Sequence, residues 1–193
     1  ESIEKYIDNE YLWTKENDEQ WNLHSSDQRN NPSRVQLMAN QIKQIFGYIP
    51  NNLDDFIYAS QVSQAEAKKF FIENVRVNRK TKSGIIWWNL LDGWPQISDA
   101  VVDYYYEKKL AYDYIKRSQQ PFAIMCGELS NWKVPVVAVN DTLLKVVGKY
   151  RVTDAETGKE YLNGEFFIKE NSSLTLGEIP LYYSDKGRKS SEE

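Results

Sequence analysis

"SGIIWWNLLDGWPQISDAVVDYYYEKKLAYDYIKRS" runs from Ser83 to Ser118 and decides the fold. Two adjacent tryptophans, Trp87 and Trp88, stand in an apolar run, and Trp94 follows inside Asp92-Gly93-Trp94-Pro95. Half of the chain's six tryptophans therefore fall on eight residues. A buried indole needs a partner for its N–H, so leucine or valine would fill a core at lower cost. The arrangement points to a surface that receives something flat and polar. "IIWWNLL" after Gly84 is a short continuous apolar run, the pattern of a strand buried on both faces, and Gly-Trp-Pro ends it.

Working outward, helical patterns flank that strand. Ser33 opens "SRVQ", a capping-box pattern, and Val35, Met38, Ile42, Ile45 and Phe46 recur at helical spacing up to a stop at Gly47. A second capping box, "SQAE" from Ser63, predicts a helix with Ala67, Phe71 and Val75 on one face. Asp103 is placed to cap a last helix carrying Leu110, Ala111, Tyr114 and Ile115, with Lys116 and Arg117 suiting its C-terminal dipole. Helix–strand–loop–helix is the repeat of a β/α barrel or an open α/β sheet. Such a strand needs parallel neighbours on both sides, and the first half contains one convincing strand, so it reads as part of a larger sheet.

From Pro121 the period changes to two. "VPVVAVN", "LLKVVGKYRVTD", "YLNGEFFIKE" and "SLTLGEIPLYY" alternate between polar turns, which predicts an antiparallel β-sandwich. The expected organisation is a domain over 1–120, a sandwich over 121–193 and a polar tail over 184–193.

The net charge of −4 gives no basic footprint for nucleic acid, and no apolar run approaches the ~18 residues of a membrane span. One cysteine (Cys126) excludes an internal disulfide, and with one histidine (His24) it cannot form a structural zinc site. No metal or cofactor is expected. The remaining oddity is the aromatic content of 13%, concentrated where the tryptophans are.

"GIIWWNLLDGWPQISDAVVDYYYEKKLAYDYIKR" resembles the last strand and helix of the catalytic barrel in glycoside hydrolase family 2. Enzymes similar to β-mannosidases and β-galactosidases show a strand ending Trp-Gln/Asn-Leu-x-Asp-x-Trp-Pro, then an aromatic stretch and a helix of the pattern Lys-x-x-x-Tyr. Matched residue by residue, the strand tryptophan is Trp88, the amide Asn89, the acid Asp92 and the loop pair Trp94-Pro95. Asn89 replaces the glutamine of mannosidase-like members, and Leu91 stands where many have asparagine.

The resemblance implies the C-terminal portion of a (β/α)8 TIM barrel followed by an immunoglobulin-like β-sandwich. It implies a retaining β-glycosidase acting on an oligosaccharide or glycoside, with the remainder of the parent chain as partner. Trp88, Asn89, Asp92 and Trp94 would contact substrate: sugar rings stack a C–H face on indole, and their hydroxyls need amide and carboxylate partners. Retaining enzymes use two carboxyl groups about 5–5.5 Å apart. In the family both are glutamates on earlier strands, so no catalytic residue is expected within this chain, and Glu1 is not nominated.

Alternation on a strand puts Trp88 toward sugar and Trp87 toward the core. Tyr104, Tyr105 and Tyr106 read as packing beneath the last helix, Asp99 as structural, and His24 as a loop histidine. Two other readings stay open from the residues alone. One is a non-catalytic carbohydrate-binding module with an exposed tryptophan platform; the other is a structural module whose aromatics are all core. Exposure of Trp88 separates them.

Overall fold

In the computed structural model, which describes residues 2–13, 19–26 and 34–181, Asn52 is the cap that the pattern at Ser63 places too late. Asn52 Oδ1 accepts from the Asp55 amide at 2.9 Å, and Asn52 Nδ2 donates to Asp55 Oδ2 at 2.8 Å. This reciprocal cap satisfies an orphan N–H at the start of one unbroken helix, Leu53–Val77. Ser63 lies within it, and its hydroxyl donates to the Ala59 carbonyl one turn back. Before it runs a helix over Arg34–Phe46, which stops where Gly47 takes φ +80. A short helix covers Glu19–Leu23 and another Leu110–Ser118. In chain order these are α1 (Glu19–Leu23), α2 (Arg34–Phe46), α3 (Leu53–Val77) and α4 (Leu110–Ser118). Ser33, Glu1, Tyr182, Tyr183 and the tail 184–193 lie outside the described residues.

The chain divides into two units, Glu1–Phe71 with Ile86–Ser118, and Ile72–Ile85 with Gln119–Glu193. In the first, Ile42 of α2 packs with Phe56 and Ala59 of α3 against Trp13, Met38 and Ala39. A second cluster joins Ile7, Trp21 and Ile97, with Val35 and Met38 packed on it. Ile45 and Phe46, expected on the apolar face of α2, are exposed.

The strand expected over "IIWWNLL" is not present: residues 83–88 form neither helix nor ladder, and the chain bends at Trp88. A strand exists only through its partners, and among the described residues none flanks this run on either side. Pairing begins at its far end. Val101 N donates to the Asn89 carbonyl, Val102 N to the Leu90 carbonyl, and Asp92 N back to the Val102 carbonyl, a parallel bridge of Leu91 with Val102. Asp103 is likewise not the cap of α4. Its Oδ1 accepts from the amides of Tyr105 and Glu107 in a tight turn, while the first amide of α4, Leu110 N, is taken by Gln61 Oε1 of α3. A side chain from another helix has replaced the local cap.

In the second unit the four period-two segments are antiparallel strands, and a further strand precedes them: β1 (Phe122–Cys126), then β2 (Lys133–Asn140), β3 (Val146–Thr153), β4 (Glu160–Ile168) and β5 (Ser172–Pro180). They form one sheet in the order β1-β2-β5 and another of β3 with β4. Ala138 of β2 packs with Phe166 and Ile168 of β4, joined by Phe122, Val146, Tyr150 and Leu176, so the sheets meet face to face. Tyr150 Oη fastens them by donating to the Leu176 carbonyl at 2.9 Å. The opposite face of the three-stranded sheet, with Met125, Val137 and Val139, is covered by Val77 at the end of α3. That cover explains why β2 is buried along both faces from Val136 to Asn140. Opposite Phe166, Gly148 makes room for the ring: a Cβ there would stand 2.8 Å from it and force it to shift.

Asn140, fully buried, organises the turn after β2. Its Nδ2 donates to the Leu144 and Lys169 carbonyls, and its Oδ1 accepts from the amide and hydroxyl of Thr142. Next to it, Asp141 takes Arg76 at 2.7 Å and Arg79 at 2.9 Å from the last turns of α3 and beyond. Arg79 also donates to Asn171 Oδ1.

Candidate functional site

Asp92 is the residue around which the Trp-rich loop is built. Its Oδ1 accepts from Gln96 Nε2 at 2.7 Å and from Ser98 Oγ at 2.5 Å. Lys109 Nζ lies 3.7 Å from Oδ2 and donates to the Ser98 carbonyl at 3.2 Å. Ser98 Oγ in turn accepts from the Ala100 amide. The carboxylate is fully buried, so it holds the loop rather than meeting solvent. Burial pushes the Lys109 ammonium below its ordinary value, while Asp92, Asp103 and Asp99 draw it back up. Tyr6, on the N-terminal segment, is shifted well above the phenol range by burial first, and then by Asp92, Asp103 and Tyr105. Its hydroxyl therefore keeps its proton next to the acidic pair.

Trp94 is tied to this core through Gln96. Its Nε1 donates to Gln96 Oε1 at 2.6 Å, and the same amide's Nε2 is the group bound by Asp92. His24 stacks on the Trp94 ring at 5.2 Å between centroids and 26° between planes. The His24 ring also donates from Nδ1 to the Pro95 carbonyl at 2.7 Å, which fixes that nitrogen as the protonated one. On the main chain, Ile97 N donates to the His24 carbonyl at 2.6 Å and Ser26 N to the Ile97 carbonyl. His24 thus belongs to the site, although its neighbours in sequence give no sign of it. Tyr6 completes the aromatic cluster, 4.9 Å from His24 and stacked at 6.5 Å on Tyr105.

Trp88 stands apart from the Asp92 network. It is 76% exposed, and its carbonyl accepts from Lys68 Nζ of α3 at 2.8 Å. The same ammonium sits 5.0 Å above the half-buried Trp87 ring, so one lysine holds both tryptophans. Burial lowers the Lys68 pKa. The Trp88–Asn89 peptide bond is cis. Asn89 Nδ2 donates to the Leu91 carbonyl at 3.3 Å, and its Oδ1 is buried with no donor among the described residues. Of the four residues expected to touch substrate, Asp92 and Trp94 are joined through Gln96, whereas Trp88 and Asn89 lie outside that network, earlier in the chain. Trp94 is 40% exposed.

The neighbouring candidates have structural partners. Asp99 forms a two-point ion pair with Arg34, Nη1 to Oδ1 at 2.9 Å and Nη2 to Oδ2 at 2.8 Å, and its carbonyl accepts from Gln64. Tyr105 packs inward on Tyr6, while Tyr106 takes φ +66 and is exposed. Among the described residues no three His, Cys, Asp or Glu side chains gather as a metal ion would require, and no helix is long and apolar enough to cross a membrane.

No protein-family model matches the chain. Its sequence is 28% identical over 138 residues to β-mannosidase B of Emericella nidulans, covering 64% of this chain and 16% of that protein. It is 34% identical over 134 residues to β-mannosidase B of Aspergillus fumigatus, covering 66% and 15%. The chain thus spans about a sixth of the length of the curated relatives it matches. Its structure matches the crystal structure of the β-D-mannosidase from Dictyoglomus thermophilum with a TM-score of 0.79 and 30% identity, over 96% of this chain and 22% of that one. The fold also matches the exo-chitosanase of Amycolatopsis orientalis, TM-score 0.70 at 20% identity, over 93% and 22%. These likenesses support a relationship to the β-mannosidase-like glycosidases of family 2, in the hydrolase class.

Proposed function

We propose that the chain is the C-terminal portion of the catalytic barrel of a retaining β-glycosidase acting on β-mannosides, followed by an immunoglobulin-like sandwich. One observation carries the reading. Along this run Ile85, Ile86, Trp88, Leu90 and Leu91 are all exposed, Ile86 fully and Trp88 at 76%, an apolar patch on a segment that forms no ladder before Asn89. Such a patch is costly in water and calls for neighbouring strands, which the much greater length of the relatives would provide. On this reading Trp88, Asn89, Asp92 and Trp94 serve binding. Trp88 stacks on the sugar, Asn89 stands beside it with its amide, and buried Asp92 acts by holding Trp94 in place. Both catalytic glutamates come from earlier strands, outside this segment.

Hydrolysis of para-nitrophenyl β-D-mannopyranoside tests the proposal. A protein of β-mannosidase length that carries this segment turns the substrate over, and the 193-residue chain alone does not exceed buffer. Turnover by the chain alone overturns the location of the glutamates and directs the search to Asp92, Asp99 and Asp103. The exposure of Trp88 equally suits a non-catalytic carbohydrate-binding module. That reading gains if the long protein binds mannosides without cleaving them.

A further inference from the structure

We infer that His24 and Gln96 are positioning residues that hold the Trp94 indole with one face outward, as a stacking platform for the sugar ring of a glycoside. The inference rests on the glycosidase reading for its ligand class, but its support is the local geometry.

Three restraints converge on one loop residue. The first is a ring contact, His24 on Trp94 at 5.2 Å and 26°. The second is the indole N–H, bound to Gln96 Oε1 at 2.6 Å. The third is the following peptide, whose Pro95 carbonyl is held by His24 Nδ1 at 2.7 Å. Behind them stands Asp92, which orients the Gln96 amide. The amide of Gln96 thus has a fixed sense: oxygen toward the indole, nitrogen toward the carboxylate.

An indole that only sealed the core would be buried, and an idle surface indole would give its N–H to water. Trp94 does neither. It is 40% exposed while its polar atom is satisfied from within the loop. His24 covers one face, so the exposed area belongs to the other face and the rim. An aromatic surface fixed in advance loses little rotamer freedom when a ring docks on it, and that preorganisation strengthens binding without adding a contact.

The experiment follows the indole N–H resonance of Trp94 in the chain, assigned by its disappearance in Trp94→Phe. Methyl β-D-mannopyranoside is titrated, with the β-galactoside and β-glucoside in parallel. A saturable shift of Trp94 is expected. His24→Ala raises the midpoint about five-fold, the scale of one aromatic contact. His24→Phe, which keeps the stack, restores it to within about two-fold. Gln96→Leu, which removes the acceptor, weakens it as His24→Ala does. If His24→Ala does not fold, His24→Asn keeps a donor for Pro95 but loses the stack, and the same weakening is expected.

A Trp94 resonance unmoved by all three glycosides overturns the inference, as does an unchanged midpoint in folded His24→Ala or His24→Asn. A response to the galactoside or glucoside alone keeps the platform and removes the mannoside reading. Hydrolysis by the long protein with Trp94 silent does the reverse.

Discussion

Lys109 Nζ lies 3.7 Å from Asp92 Oδ2, and the carboxylate has no exposed surface. Two charges withdrawn from water in this way stabilise the fold only as a pair, because each alone carries a desolvation cost. Lys109→Met should therefore destabilise by about 3–5 kcal/mol, while Lys109→Met combined with Asp92→Leu should recover part of that loss. Urea unfolding of the two variants measures the difference, and a double variant no better than the single one would show that Asp92 acts through Gln96 and Ser98 instead.

The same lysine gives a pH dependence of known sign. Burial lowers its pKa in the folded chain below the ordinary 10.5. Between the lowered value and 10.5 the unfolded chain binds more protons, so stability rises with pH across that window. Below the lowered value both states carry the charge, and the burial penalty is felt in full. Lys109→Met should flatten the rise in unfolding free energy measured from neutral to alkaline pH. The part due to Lys68, also lowered by burial, should remain.

Asn140 is fully buried and makes four hydrogen bonds at the turn after β2. Asn140→Ala leaves the Leu144 and Lys169 carbonyls without this donor and the Thr142 groups without their acceptor. At about 1–3 kcal/mol for each buried group left unpaired, the loss should reach about 3 kcal/mol. Denaturant unfolding followed by far-UV circular dichroism checks this. Asn140→Asp, which keeps the acceptor and removes the two donated bonds, should lie between.

What the sequence disclosed was the part fixed by short-range pattern. Period two marked the segments that became β2 to β5, and Gly47 marked the end of α2 through a φ of +80 that other residues rarely adopt. What it hid was set by distant partners. "SQAE" at Ser63 has the form of a cap, yet Asn52 already starts the helix that runs through it. Asp103 precedes α4, yet Gln61 supplies the cap from α3. "IIWWNLL" has the composition of a buried strand, but a ladder depends on neighbours that composition does not name. His24 escaped for the same reason: its partners Trp94 and Pro95 are some seventy residues away in the chain. The aromatic enrichment around Trp94 was visible; the residue that stacks on it was not.

Trp87 and Trp88 share Lys68 but differ in exposure, Trp88 being 76% exposed and Trp87 half-buried. If Trp88 stacks on the sugar as proposed, Trp88→Ala in a protein of β-mannosidase length should lower kcat/KM by at least about ten-fold, since a stacking contact that tightens in the transition state acts on rate as well as affinity. Trp87→Phe, which preserves a ring beneath the ammonium, should cost no more than about two-fold. Equal losses would show that the assignment of the two faces is wrong.

A fragment ending at residue 120 should not fold as the chain does. It retains the exposed Ile85, Ile86, Trp88, Leu90 and Leu91, so it starts with an apolar patch in water. It also retains Ile72–Ile85, which belong to the second unit. Ile72 is only 3% exposed in the chain, and Val77 lies against Met125, Val137 and Val139. Removing the strands strips that cover and leaves Arg76 and Arg79 without Asp141. Each uncovered side chain forfeits about 1.5–3 kcal/mol of burial, a large share of the 5–15 kcal/mol typical of a whole domain. The fragment should therefore bind ANS and associate, with weak amide protection from Ile85 to Leu90. Light scattering and hydrogen exchange read both. A monomer that unfolds cooperatively, with those amides protected, would show that residues 1–120 form a self-contained domain and would remove the argument for a truncated barrel.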